Sequence, residues 1–299
     1  MKTLFAFIRR NVKLFFKDKG MFFTSLITPL ILLVLYATFL SNVYKDSFVS
    51  ALPEGIVFPE KLLDGTVACQ MISALLAVCS VTVSFCANLL MIGDKATGSI
   101  RDFTVSPVRR SVMALGYYIS AAVTTLTVTF SALAVCFVYM AVKGWYLSFI
   151  DVLLVISDVL LLTLFGTALS SCINFFLSTN GQASAVSTAI SAGYGFLCGA
   201  YMPIASFPEW LQKTLKFLPG TYGTVLLRNH MMRGVFTEMK NIGFPEDVIA
   251  GLQDGIDCNL YVGGSAASIP AMEIIMICSV LLFTGLFVIF NVFLKKKER

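Results

Sequence analysis

Long apolar runs separated by short charged stretches dominate the chain. Crossing a bilayer as a helix takes roughly 20 mostly apolar residues. Six runs qualify: Phe22 to Leu40, Val67 to Ile92, Met113 to Val142, Ile150 to Leu177, Gln182 to Ile204 and Ala271 to Leu294. Several exceed the minimum, which permits tilt or projecting ends. The first residues follow another pattern. At about 100° per residue, Lys2, Arg9, Arg10, Lys13 and Lys17 gather in one arc. Leu4, Ile8, Val12 and Phe15 lie opposite. This predicts an amphipathic helix over residues 1–21 lying in the membrane interface. It serves either as a topology anchor or as a lever touching a cytoplasmic partner. Arg9, Arg10 and Lys13 would interrupt the apolar core of a signal peptide.

Between the fifth and sixth runs lies a segment over 205–270. Phe207-Pro208-Glu209-Trp210-Leu211 opens an apolar stretch broken by Lys213 and Lys216, and Thr221 to Met232 forms a second. Each is too short to span, and Pro219-Gly220 separates them. Two short re-entrant helices entering from outside are expected, buried in protein or lining a cavity. From about Gly234 the segment turns acidic, with Glu238, Glu246, Asp247, Asp254 and Asp257, and reads as a solvated cap. The fold class is therefore all-α integral membrane: an interfacial helix, then a transmembrane domain over 22–299 with six spans and re-entrant external helices.

Composition narrows the function. The 299 residues are 57% hydrophobic and 13% charged, where a soluble domain carries about 25% charge. Too little polar surface remains to cover a soluble enzyme. Fourteen of the 22 basic residues fall in the N-terminal segment, the loop after the second run and the C-terminal tail. With six spans, these regions share one side, so both termini are expected in the cytoplasm. That distribution also explains the net charge of +5 without nucleic acid. Of the eight cysteines, only Cys258 lies clearly in an external loop. The rest sit in or at the ends of spans, where Cys acts as a small hydrophobe. No CxxC and no metal spacing occur, so no metal is expected.

No catalytic residue is expected either. His230 is the one histidine; HExxH, GxSxG and the Walker A pattern are absent. Energised work would need another subunit to hydrolyse ATP. Asp151 and Asp158 lie seven apart on one face of the fourth run, with Asp151 near its outer end. Asp158, about two turns deeper, is either a cation or proton site or a hydrogen-bond partner for Thr124, Thr125, Thr127 or Thr129 of the third run. The fifth run is crowded with small residues, which serve packing within the chain or a moving wall or dimer seam.

The cytoplasmic loop over 93–112 is too long for a simple connector. Thr97 or Ser99 can cap a short helix, Ile100 and Phe103 give it an apolar face, and Ser106-Pro107 ends it. Such a helix can dock into a partner. Here the sequence resembles membrane subunits of the ABC-2 class of ABC transporters, whose loop pattern resembles E-[RK]-E-x-G-T-x-x-x-L-x-x-[ST]-P-[VL]. Gly98-Ser99, Phe103 and Ser106-Pro107-Val108 match it. The acidic start is replaced by Gly93-Asp94-Lys95, leaving Asp94 as the counterpart. Lys17-Asp18 and Pro29 resemble the family's connecting helix and first span. Gly199-Ala200-Tyr201-Met202-Pro203, Phe207-Pro208-Glu209-Trp210-Leu211 and Leu218-Pro219 resemble its signature around the fifth span.

The resemblance implies a half-transporter that pairs with a second permease subunit, as homodimer or heterodimer, and with separate ATP-binding subunits. ATP and Mg would sit on those partners, with no cofactor on this chain. Thr97, Gly98, Ile100, Arg101, Phe103, Ser106 and Pro107 would couple to ATP binding. Thr82, Phe85, Asn88, Asp158, Ser184, Thr188 and Phe196 would line the path of a drug-like, lipid or other amphiphilic substrate. A multi-pass exporter of the bacterial plasma membrane is the expectation. Two alternatives stand: a proton-coupled secondary transporter using Asp158, and a non-transport receptor or assembly protein acting through its external cap.

Overall fold

In the computed structural model, residues 2–50, 58–100, 103 and 108–293 are described. The chain begins with α1 (Lys2–Lys17). Asp18 leaves the helical conformation, and its carboxylate accepts from the Met21 N–H at 3.1 Å, which caps α2 (Lys19–Leu35). A wide turn of π-helix over Tyr36–Leu40 joins α2 to α3 (Ser41–Ser50). The central element, α4 (Glu60–Ala87), hitches at Asn88 and continues as α5 (Leu89–Ala96). α4 is apolar and buried around its whole circumference, as befits a helix with protein on every side. Its neighbours are α2, α3, α6 (Arg110–Lys143), α7 (Phe149–Phe175), α8 (Asn180–Leu197) and α10 (Pro219–Asn241).

Among the described residues, five helical stretches are long and apolar enough to cross a membrane: Lys19–Ser50, Glu60–Ala96, Arg110–Lys143, Phe149–Phe175 and Ile269–Phe293. The last is α12. The expected fifth span falls on α8, which is not among them. Its serines, alanines and glycines lower its hydropathy, and the helix stops at Leu197 rather than reaching Ile204. Gly199, at φ +70°, ends it, with the Ala200 and Tyr201 N–H groups both returning to the Gly195 carbonyl. α8 is thus about 27 Å long.

Beyond α8 the expected pieces change shape. α9 (Glu209–Leu215) is a short helix as predicted, but α10 does not stop at Met232. It runs to Asn241 with Val235, Phe236 and Met239 buried. Gly234 is not a boundary but a point of close approach. A Cβ there would stand 1.9 Å from the Tyr146 carbonyl oxygen, so α10 crosses over the α6–α7 connection with backbone against backbone. At its other end, Gly223 lies against Leu162, midway along α7, and Met276, in the first third of α12. α10 therefore starts within the bundle and climbs toward the end that carries the α6–α7 connection. α11 (Glu246–Gly255) and a hairpin of β1 (Tyr261–Val262) and β2 (Ser265–Ala266) follow α10 and lead into α12.

Candidate functional site

Among the described residues, three polar constellations bear most on function. The first joins α1 to the start of the 93–112 loop. Arg10 projects from α1 toward α5 and meets Asp94 with two parallel hydrogen bonds, Nη1 to Oδ2 at 2.8 Å and Nη2 to Oδ1 at 3.0 Å. The Tyr117 hydroxyl of α6 donates to Asp94 Oδ2 at 2.7 Å. A buried carboxylate thus finds three donors from two other helices, the condition for tolerating its burial. The bond to Asp94 raises the Arg10 pKa above its ordinary value. The next residue, Asn11, donates from Nδ2 to Ser120 Oγ at 3.2 Å, one turn along α6 from Tyr117. Arg10 and Asn11 therefore turn inward, and the basic arc of α1 is partly a docking surface.

Aromatic rings extend this junction. Phe7 stands edge-on to Phe103, with centroids 5.1 Å apart, and to Tyr117 at 4.9 Å. The Arg10 guanidinium carbon lies 5.0 Å from the Phe103 ring centroid. Phe103, expected to couple to a partner, is held half-buried against α1. Ile100 is half-buried and helical, as is Ser99. Thr97 closes the preceding helix rather than opening the next: its Oγ1 donates to the Gly93 carbonyl at 2.9 Å, and Gly98 follows at φ +78°. Arg101, Ser106 and Pro107 lie outside the described residues.

Lys95 anchors the same segment on its other side. Its Nζ donates to the carbonyls of Asn174, Phe175 and Leu177 at 3.0, 2.7 and 2.9 Å. These close the last turn of α7, where carbonyls lack helical partners and the macrodipole favours a cation. Two adjacent side chains of α5 thus grip different elements: Asp94 takes α1 and α6, and Lys95 takes the α7–α8 turn.

The second constellation joins α7 to α10. Asp158 of α7 pairs with His230 of α10, Oδ2 to Nδ1 at 2.6 Å, both buried. The threonines of α6 do not partner Asp158; Thr129 bonds within its own helix and faces Thr163. His230 escaped the sequence reading because its segment was taken for short external helices. The available signal was a basic helix opposite a face carrying two aspartates. Asp151, the other, accepts from Ser148 N–H and Oγ and so caps α7.

The third constellation ties the stretch over 199–258 together. Buried Arg228 donates from Nη1 to the Ile256 carbonyl at 2.6 Å and from Nη2 to the Gly199 carbonyl at 2.8 Å. Asp257 approaches Nη1 at 3.9 Å and accepts from the Ile204 N–H at 2.6 Å. Burial raises the Asp257 carboxyl above its ordinary range, with the Arg228 cation opposing the rise. Asp257 and Cys258 are buried, so the expected solvated cap is clamped at this point by a cation that sequence periodicity could not orient. Burial also pushes the Cys258 thiol to about 12, which makes it inert.

The residues expected to line a substrate path do not meet in one chain. Thr82, Phe85 and Asn88 are buried within α4 and the following hitch. Asn88 Nδ2 donates to Ser170 Oγ at 2.5 Å, and Ser171 Oγ donates to Asn88 Oδ1 at 3.3 Å, which locks this position to α7. Ser184, Thr188 and Phe196 are exposed on the outward face of α8, while Ala183 and Ser187 face the bundle. Asp158 lies apart from both groups, beside His230. The ABC-2 type transporter family matches residues 2–232, from the start of α1 into α10. No curated protein matches the chain.

Proposed function

Because this chain belongs to the ABC-2 type transporter family, a membrane permease of ABC transporters, we propose that it is one membrane half of an ATP-driven exporter. In this reading a separate subunit binds ATP and Mg, and this chain has no ATPase site. It pairs with a second permease subunit, identical or related, and the exposed face of α8 with Ser184, Thr188 and Phe196 turns toward that partner. The substrate is drug-like, lipid or another amphiphile. α8 serves as the fifth of six spans, α9 and the start of α10 are re-entrant, and both termini lie in the cytoplasm of a bacterial cell.

The observation that carries the reading is the Arg10–Asp94–Tyr117 junction with Phe103 packed on α1. A push delivered to the 93–112 loop would reach α1 through Phe103, α6 through Tyr117, and the α7–α8 turn through Lys95. A surface loop without such anchorage would absorb the push by bending. The test is purification of the tagged chain from its native membranes in mild detergent, with ATP hydrolysis assayed on the product. A stoichiometric ATP-binding subunit with activity supports the reading. A chain that purifies alone and inactive, under conditions that keep complexes intact, refutes it. Phe103→Asp should leave insertion intact and uncouple hydrolysis from transport.

The Asp158–His230 pair favours a second reading, a proton-coupled secondary transporter. It requires gradient-driven flux without ATP, abolished by Asp158→Asn; ATP-dependent flux surviving that change excludes it.

A further inference from the structure

A cavity of about 310 Å³ lies between α10, α11 and the start of α12. His230, Arg233, Thr237 and Lys240 follow one another along α10 at spacings of three and four, so one stripe of that helix faces the cavity. Arg233 Nη1 stands 3.6 Å from Asp151 Oδ1, beyond hydrogen-bond distance, so the guanidinium donors stay free for another acceptor. Lys240 is exposed at the far end of the stripe. None of the lining residues is acidic. Two cations without a facing carboxylate favour an anion. The deepest group is His230, at 3% exposure. Its Nδ1 meets Asp158, and because a carboxylate accepts, Nδ1 carries the hydrogen. Its Nε2 has no hydrogen-bond partner among the described residues and is not sealed from accessible space, so it opens on the cavity that the ring lines.

That nitrogen selects the anion. Nε2 accepts when the ring is neutral and donates when it is protonated. A phosphate monoester, with its second pKa at about 6, exists near neutral pH both with and without an O–H, so it pairs with Nε2 in either state. A carboxylate or a phosphodiester is a bare acceptor there and pairs with the protonated ring alone. Arg233, one turn from His230, offers the planar fork that matches phosphate oxygens. The position of the cavity points to the source of the phosphate. Ile269, the first residue of α12, lines it. α12 is about 37 Å long, more than the roughly 30 Å hydrocarbon core, so its first residue stands at the level of the lipid headgroups.

We propose that this cavity binds a phosphate monoester, carried by a lipid headgroup, with His230 and Arg233 on the phosphate and Lys240 drawing it in. The site is independent of the transport reading, because binding there requires neither ATP nor a second permease subunit. The test uses the purified full chain in nanodiscs of phosphatidylcholine with a minor fraction of phosphatidic acid, and reads retained lipid by native mass spectrometry. Phosphatidylglycerol, an anionic diester, is the control at the same fraction. One phosphatidic acid per chain should be retained in preference to phosphatidylglycerol. Arg233→Gln should weaken retention about tenfold, the worth of one hydrogen bond between charged groups, and Lys240→Gln about threefold. Thr237→Trp should abolish it by filling the cavity with no change of charge. All three positions are exposed, so these variants leave the core intact. A second arm offers glycerol 3-phosphate to discs of phosphatidylcholine alone. Saturable binding there, lost in Arg233→Gln, would keep the phosphate site and place its source in solution; no binding there, with phosphatidic acid retained, assigns the site to the lipid. Equal retention of phosphatidylglycerol and phosphatidic acid overturns the proposal, as does failure of both probes to bind. So does retention that survives Arg233→Gln and Thr237→Trp, which would put the lipid elsewhere, such as on the basic arc of α1.

Discussion

Replacing Arg10 with Met keeps the alkyl stem against Phe103 and removes the cation and both donors from Asp94. The Asp94 side chain is 8% exposed, so water cannot replace them well. Stripping one partner from a fully buried ion pair costs about 3–5 kcal/mol. The Arg10 side chain is 34% exposed and the Tyr117 hydroxyl stays, so the expected cost is lower, about 2 kcal/mol. That energy falls on the seat of α1, because the other contacts of Asp94 lie within the bundle. Converted at 1.4 kcal/mol per tenfold, the open population of α1 should rise about 30-fold. Amide hydrogen exchange along residues 2–17, followed by mass spectrometry on the purified chain, measures this directly. Asp94→Asn should cost less, since a partly exposed guanidinium can be hydrated. The double variant should cost less than the two changes summed, because no lone buried charge remains. Exchange in Arg10→Met within about threefold of the unaltered chain would refute the idea that this bridge seats α1.

Lys95→Met leaves three carbonyls at the end of α7 without their donor and should lower stability by about 1–2 kcal/mol, read as a fall in thermal midpoint in detergent; an unchanged midpoint would assign those carbonyls to solvent. Asp257 gives a pH dependence of definite sign. Its folded pKa lies above 3.8, so the folded state binds the extra proton, and the external segment should lose stability as pH rises from about 3.8 through the folded value. Protease susceptibility of that segment should follow the same course and become flat in Asp257→Asn, which still accepts from Ile204; a slope that persists in that variant belongs to another group. Gly234→Ala forces a Cβ onto the Tyr146 carbonyl and should cost at least about 3 kcal/mol, seen as loss of monodisperse protein. Normal yield would show that the α6–α7 connection yields easily.

The spans were legible because lipid demands long apolar runs, and Glu60–Ala96 and Phe149–Phe175 satisfy that demand without help from neighbours. The outer segment was not. Gly234, read as a boundary, is a contact between two backbones, and glycine serves both purposes with the same letter. His230 and Arg228 were visible as residues but not as partners. Their mates, Asp158 and the Gly199 and Ile256 carbonyls, come from parts of the chain 28 to 72 residues away. Asp94 fared better. The loop pattern singled it out, though nothing in the sequence shows that Arg10, 84 residues earlier, reaches it.

Where the strong polar contacts fall bears on motion. Asp94 and Lys95 clasp one end of the bundle, while Asp158–His230 and the Arg228 clasp hold the other half. Between these levels, α4, α6 and α7 meet through hydroxyls that mostly donate to their own helices: Ser80 to Leu76, Ser84 to Ser80, Thr129 to Thr125, Thr167 to Thr163. A hydroxyl already satisfied by the preceding turn of its own helix loses little when the facing helix shifts. Gly166, set against the Ser80 carbonyl and Val81, brings α7 close to α4 without a side chain to interlock. Small displacements between these helices therefore cost only neutral bonds, such as Ser84 with Thr167 and Thr129 with Thr163, whereas separation at either end breaks a charge-assisted bond. Separation at either end is therefore the costlier change, and a push entering at α5 would travel through the clasps rather than through the seam.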